Sequence, residues 1–294
     1  MNPAVSMAPE DAPRRTAFVL AGGGSFGAVQ VGMLRELVAS GIAPDMVVGS
    51  SAGAINGAYF AGAPDAQGLA RLDRLWRGLR RNEVFPLGWR SLVGLALRRN
   101  GIVDPGALRR LLEEHLAYGE IEKASIPLHV VATDLLHGVT VRLSHGPVVD
   151  AVLASCAIPA AFPPVRLGER YLVDGAIAAN TPIGVAVELG ATRIIVLPTG
   201  YACALERPPS SAIACALHAI TLLTAHQLVT EIGRFREHVE IVTVPPLCPL
   251  AVSPYDFSKA AVLIERAAEQ TRRWLDRGGL EKERIPGALL PHVD

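Results

Sequence analysis

The sequence predicts an α/β fold in which a parallel sheet is covered by helices. Two observations carry that prediction. Short apolar runs at Thr16–Ala21 and Met46–Val48 each enter a glycine-rich turn, and each turn opens a stretch with helical spacing. Strand, turn and helix therefore repeat twice within about fifty residues, the signature of parallel strands joined by covering helices. Half of the 294 residues are hydrophobic and only 19% are charged, enough apolar side chain for a sheet buried on both faces. The same balance excludes a largely disordered chain. The 28 basic and 28 acidic residues cancel, so no net charge points to nucleic acid. A mean hydropathy of +0.31 fits a buried parallel sheet, and it also fits a protein that meets lipid.

Residues 1–15 hold Pro3, Pro9 and Pro13 without periodicity and read as a loose tail ahead of one domain, 16–294. No apolar run of signal-peptide length precedes Arg15, which favours a cytoplasmic location with peripheral membrane association. After the first strand, Val31, Leu34, Leu37 and Val38 mark a helix that Gly41 closes. The second strand leads through Gly49-Ser50-Ser51-Ala52-Gly53 into a small-residue helix ending near Gly62. A helix is expected near Pro105–Leu116, then strands at Leu128–Thr133 and Val139–Leu143, and a helix from Val148. Beyond the Pro-rich Ile158–Val165, strands are expected at Tyr171–Val173, Arg193–Leu197 and Glu240–Val244. Long helices are expected over Ser210–Glu237 and Phe257–Arg277. The most apolar stretch, Ser211–Val229, is interrupted by His218, Thr221, Thr224 and His226 and reads as a core helix, not a membrane span. Cys156, Cys203, Cys215 and Cys248 stand too far apart for metal-ligand spacing and read as small buried hydrophobes.

Gly49-x-Ser51-x-Gly53 has the pattern of a nucleophile elbow, in which glycines allow the sharp strand-to-helix turn that lifts a serine hydroxyl clear of the sheet. The helix that follows aims its N-terminal N–H groups at the same point. The pentapeptide alone fits an ordinary turn equally well. The run Gly22-Gly23-Gly24-Ser25-Phe26-Gly27 also joins strand to helix, and its amides suit an anion, either a phosphate or a reaction oxyanion. It formally fits the dinucleotide fingerprint, which requires an acidic residue after the second strand; here Gly49-Ser50-Ser51 stands there, and Asp45 precedes that strand. A nucleophilic serine needs a base. None of the eight histidines lies in a glycine turn, whereas Asp174 leaves the apolar Tyr171-Leu172-Val173 directly into Gly175. A turn aspartate that bonds its own backbone has the same local signature.

The glycine run, Gly49-x-Ser51-x-Gly53 and Asp174-Gly175-Ala176, in that order, resemble the motifs of the patatin-like phospholipases. The resemblance runs from about Ala17 to Val196 and includes Ala154–Pro164 together with Asn180, Pro182, Gly190 and Ala191. It implies a three-layer α/β/α fold with a central, mostly parallel sheet, and a Ser51–Asp174 dyad without histidine. It implies an acyl-enzyme route in which the N–H groups of Gly22, Gly23 and Gly24 hold the oxyanion and Gly27, Gly49, Gly53 and Gly175 shape the turns. The substrate implied is a lipid or other ester, as for a phospholipase A, lysophospholipase or carboxylesterase, with no metal and no organic cofactor. Many members carry Arg or Lys where this chain has Phe26, which removes a cation from the loop.

Arg71–Arg99 carries eight arginines with Trp76, Phe85 and Trp89, and reads either as a membrane-contact face or as a solvated helix with Trp76 in the core. Three further functions stay open: an α/β-hydrolase triad of Ser51, Asp134 or Asp174, and His218 or His226; a nucleotide-binding module using Gly22–Gly27; and a catalytically silent scaffold. The sequence assigns no oligomeric state.

Overall fold

The computed structural model describes residues 14–80, 104–200, 212–250, 252–254, 256–281 and 285–289. Eight strands form one sheet in the order β5-β6-β3-β2-β1-β7-β8, with β4 paired to β3 off this path. They are β1 (Thr16–Leu20), β2 (Met46–Ser50), β3 (Leu128–Asp134), β4 (Thr140–Leu143), β5 (Val165–Leu167), β6 (Arg170–Asp174), β7 (Arg193–Leu197) and β8 (Glu240–Thr243). The run β3-β2-β1-β7-β8 is parallel throughout, while β4, β5 and β6 join antiparallel.

The central strands alternate between two cores, as strands covered on both faces must. Phe18, Leu20, Val47, Ile195 and Leu197 face one core; Ala17, Val19, Met46, Val48, Ile194 and Val196 face the other. The first core is closed by α1 (Gly27–Ala39), α2 (Ala52–Gly62), α3 (Ala66–Gly78), α4 (Gly106–His115), α5 (Val148–Ser155) and α9 (Ala260–Asp276). Of the shorter elements that follow β6, α6 is Ala176–Ala179 and α7 is Ile183–Glu188. The second core is closed by α7 and by the C-terminal half of α8 (Ala212–Phe235) through Leu228, Ile232 and Phe235. Three layers, α/β/α, result.

The long strand β3 organises the antiparallel edge. Val130 and Val131 pair with β2 and with β4, so these two strands lie on opposite sides of β3. Ala132 and Thr133 pair with β4 and with β6, so β6 lies on the same side as β2. Ser50 pairs with Val131 and Asp174 with Ala132. Hence β2, which is parallel to β3, and β6, which is antiparallel to it, meet C-terminus to C-terminus along one rail.

Three expectations are corrected. Arg14 and Arg15 belong to the fold, not to a loose tail: Arg15 N–H donates to Thr192 Oγ1 at 2.8 Å and Arg14 pairs with Glu240 at 2.6 Å. Residues 1–13 and Cys203 lie outside the described residues. Of the other cysteines only Cys156 is buried; Cys215 is exposed and Cys248 half-buried. The apolar stretch at 211–229 is not a core helix along its length, because Ile220, Leu222 and Leu223 are exposed. No helix of the described residues is long and apolar enough to cross a membrane.

Candidate active site

The end-to-end meeting of β2 and β6 brings together residues far apart in the chain. Ser51 Oγ–H donates to Asp174 Oδ2 at 2.7 Å, and both residues are buried, at 7% and 4% exposure. Ser51 sits at φ 53, ψ −122, a conformation that non-glycine residues rarely adopt and that costs on the order of 1–3 kcal/mol. Its surroundings hold it there. Its N–H donates to Ser155 Oγ at 2.8 Å, and Ser155 in turn donates to Val131 O at 2.6 Å, which pins the turn to β3. The Cys156 thiol donates to Ser51 O at 3.3 Å.

The flanking glycines are required by close packing. A Cβ on Gly49 would collide with Gly53 O, and one on Gly53 with the carbonyls of Leu20 and Ala21. A Cβ on Gly175 would meet Val131 O and lie 2.5 Å from Ser50 Oγ. Helix α2 therefore starts directly against the end of β1, with Ser51 at its N-cap and the positive end of its dipole beside the hydroxyl.

Asp174 Oδ1 accepts from the Ala176 N–H at 2.8 Å, so its two oxygens are divided between the turn and the serine. Burial pushes its carboxyl up to about 6, against the pull of the Ala176 amide and the Ser51 hydroxyl, which favour the anion. A carboxylate so raised accepts a proton far more readily than an exposed aspartate.

The glycine loop lies against this pair. A Cβ on Gly22 would stand 3.0 Å from Ser51 Cβ and 2.5 Å from Asn180 Oδ1. The Gly22 N–H donates to Asn180 O at 3.0 Å, which removes it from the donors open to a ligand. Thr199 Oγ1 donates to Gly22 O at 2.7 Å. The N–H groups of Gly23 and Gly24 meet no acceptor among the described residues. Gly24 has φ 58, and Ser25 N–H bonds Pro254 O at 2.7 Å, so the loop is clamped from outside. Gly27 packs under Trp76, and Phe26 is fully buried, directed into the core.

Sequence reasoning missed the support beneath the loop. Gln30 Nε2 donates to Ala21 O and Leu197 O, each at 2.8 Å, tying α1 to the ends of β1 and β7. Asn56 Nδ2 donates to Gln30 Oε1 at 2.8 Å and to Gly27 O at 2.9 Å, and Trp76 Nε1 donates to Asn56 Oδ1 at 2.7 Å. Trp76 is thus a core residue, stacked on Phe257 with ring centroids 6.3 Å apart. Of the arginine-rich stretch, Arg77 pairs with Asp73 and Glu265, while Arg71 and Arg74 line a cavity of about 530 Å³ with Tyr59 and Gly62, at the end of α2 remote from Ser51. Phe85, Trp89 and the rest of that stretch from 81 lie outside the described residues.

Among the described residues no histidine bonds Ser51 or Asp174. Asp134 closes the end of β3, accepting from the amides of Leu136 (3.0 Å) and His137 (3.2 Å) and meeting His137 Nδ1 at 3.1 Å. His218 and His226 stand on α8, half-buried and exposed respectively.

A family model described as patatin-like phospholipase matches residues 18–187. An uncharacterized NTE family protein of Mycobacterium tuberculosis is 35% identical over 184 residues, covering 61% of this chain and 29% of that protein. A putative patatin-like phospholipase domain-containing protein of Caenorhabditis elegans is 27% identical over 184 residues, 62% of this chain and 16% of its own length. The chain thus spans less than a third of either relative. Among solved structures, VipD from Legionella pneumophila has a TM-score of 0.49 at 18% identity, covering 90% of this chain and 67% of that one. A human GIVD cytosolic phospholipase A2 has a TM-score of 0.44 at 12% identity, covering 96% and 60%.

Proposed function

Since this chain belongs to the patatin-like phospholipase family, we propose that it hydrolyses lipid acyl esters with Ser51 as nucleophile and Asp174 as its direct base. The observation that carries the reading is the 2.7 Å hydrogen bond from Ser51 Oγ to a buried carboxylate, at the mouth of a strained strand-to-helix turn. Asp174 takes the hydroxyl proton as Ser51 Oγ bonds to the acyl carbonyl carbon. The carbonyl π electrons move to oxygen, and the resulting oxyanion is received by the N–H groups of Gly23 and Gly24 with the N-terminus of α2. Gly22, its amide held by Asn180, forms the wall beside the serine. Collapse expels the alcohol, which leaves with the proton from Asp174. Water then attacks the acyl-serine, giving its proton to Asp174, and the acid departs as Ser51 is restored. Preorganised donors of this kind are each worth about 3 kcal/mol in the transition state.

Hydrolysis of short- and long-chain p-nitrophenyl esters tests the assignment. Ser51→Ala and Asp174→Asn, checked for folding by circular dichroism, are expected to lose activity by at least about a hundredfold. Activity retained by either variant would reject the dyad. Exposed histidine changes such as His226→Ala are expected to leave the rate intact, which separates this reading from a triad.

A further inference from the structure

The exposed large apolar side chains among the described residues are strongly one-sided. They are Leu135, Leu136, Val139, Tyr171, Ile177, Ile220, Leu222, Leu223 and Val262. All but Val262, on α9, belong to the elements around the catalytic edge. Leu135, Leu136 and Val139 form the turn that follows β3, at the end of the strand that carries the rail. Tyr171 lies outboard of Asp174 on β6, and its carbonyl accepts from the Leu135 N–H at 2.8 Å. Ile177 lies on α6, three residues beyond Asp174.

Helix α8 extends the same surface outward. Gln227 anchors it at the level of α6, accepting from Asn180 N–H at 3.1 Å and donating to Ala178 O at 3.2 Å. From there the C-terminal half descends along the sheet toward Glu240, where β8 begins at the opposite edge. The N-terminal half, Ala212 to His226, runs the other way, about 22 Å along the helix axis away from the sheet. Asp, Glu, Lys and Arg are all absent from Ala212 to Thr230. Leu223 is 67% exposed and Leu136 69%. A charge-free helical arm with exposed Ile220, Leu222 and Leu223 is costly to hold in water, and exposed apolar side chains gathered on one element in this way point to a contact site. Arg166 and Arg170 stand exposed at its margin on the β5–β6 hairpin, on either side of exposed Glu169, with Arg166 over the ring of Tyr171 at 5.9 Å and Arg170 4.0 Å from Asp134.

We propose that this rim, the turn after β3 with the outer half of α8, docks the protein on an aggregated lipid surface, with Arg166 and Arg170 meeting anionic headgroups at its margin. The choice of lipid as occupant rests on the hydrolase reading above, because the rim lies at the end of the sheet that carries the dyad, where a substrate leaving a bilayer would enter. Apolar side chains inserted at the interface and arginines at headgroup level are the combination that binds a protein to a membrane surface without spanning it. The arginines of α3 are not part of this face.

Flotation of the full chain with phosphatidylcholine vesicles, with and without phosphatidylglycerol, tests the docking independently of catalysis. The wild type is expected to float, and more strongly with the anionic lipid. Leu136→Glu and Leu223→Glu, both at exposed positions that fold without repacking, are expected to weaken flotation on the order of tenfold each. The paired change Arg71→Glu with Arg74→Glu is expected to leave it unchanged. A wild type that stays with the soluble fraction, or rim variants that float as well as the wild type, would overturn the proposal. So would rim variants that convert a dimer to a monomer in sedimentation without altering flotation, since the occupant would then be a second copy. Flotation with no hydrolysis of any ester would sink the hydrolase reading alone.

Discussion

In the proposed mechanism Asp174 serves as a base only when ionised, and burial pushes its carboxyl up to about 6. The rate should therefore be low where the carboxyl is protonated and rise as pH climbs through 6 to a plateau. We expect kcat/KM for a water-soluble ester, which reports ionisations of the free enzyme, to show that single rising limb. A rate flat across the same window would mean that Asp174 does not take the serine proton. Ser51 carries a second consequence. Its φ of 53 disfavours a Cβ, so a residue without one should relieve the strain. Ser51→Gly is expected to be more stable than Ser51→Ala by about 1 kcal/mol in urea unfolding, both variants being inactive. The turns that hold Ser51 and Asp174 were legible in the sequence from Gly49, Gly53 and Gly175, but those glycines fit ordinary turns as well, and only the family resemblance joined the two residues. Ser155 and Asn180 carried no such mark in their local sequence. Their roles come from contacts with Ser51 and Gly22 that only the assembled sheet creates.

Among the elements, α1, α2 and α3 are joined under the glycine loop by the buried polar set of Gln30, Asn56 and Trp76. Every member is satisfied, which makes the set stabilising only while it is whole. Asn56→Leu would leave the Trp76 N–H and Gln30 Oε1 without partners, at about 1–3 kcal/mol for each group. We expect a clearly lower urea midpoint, together with reduced ester turnover as the loop loses its footing. An unchanged midpoint would show that the groups find other partners. Most strands were legible as apolar runs bounded by turns, and their ends shifted by only a residue or two. The strand β5 was not, because Pro163 and Pro164 immediately before it mask a three-residue strand as loop. The exposure of α8 was hidden for a different reason. Where nearly every position is apolar, periodicity cannot distinguish a helix wrapped by protein from one that stands clear of it.

The whole molecule is graded from a rigid centre to an exposed flank. The strands β1, β2 and β7 are covered by helices on both faces, whereas Ile220, Leu222 and Leu223 on the outer half of α8 stand exposed. Native-state hydrogen exchange should follow that gradient, with the slowest amides in the three central strands and far faster exchange at 218–226. Uniform protection along α8 would contradict the exposed arm. The parallel order of the central strands was readable from the repeat of strand, turn and helix. The reversal at β6 was not, since nothing in Arg170–Asp174 states which direction it runs or which edge it joins.

That reversal gives the site an unusual form of tolerance. Ser51 and Asp174 do not contact one another through a flexible linker; Asp174 ends a strand laid against β3 beside Ala132, and Ser51 follows directly on Ser50, which ends the other strand beside Val131. Their separation is therefore counted in residues of β3, each step being about 3.3 Å and each step also turning a side chain to the opposite face. Drift, repacking or loop insertion elsewhere leaves the count unchanged, because no fractional register exists. A single residue inserted into β3 between those two positions would not detune the dyad by degrees. It would move the carboxylate by a whole step and point it through the sheet.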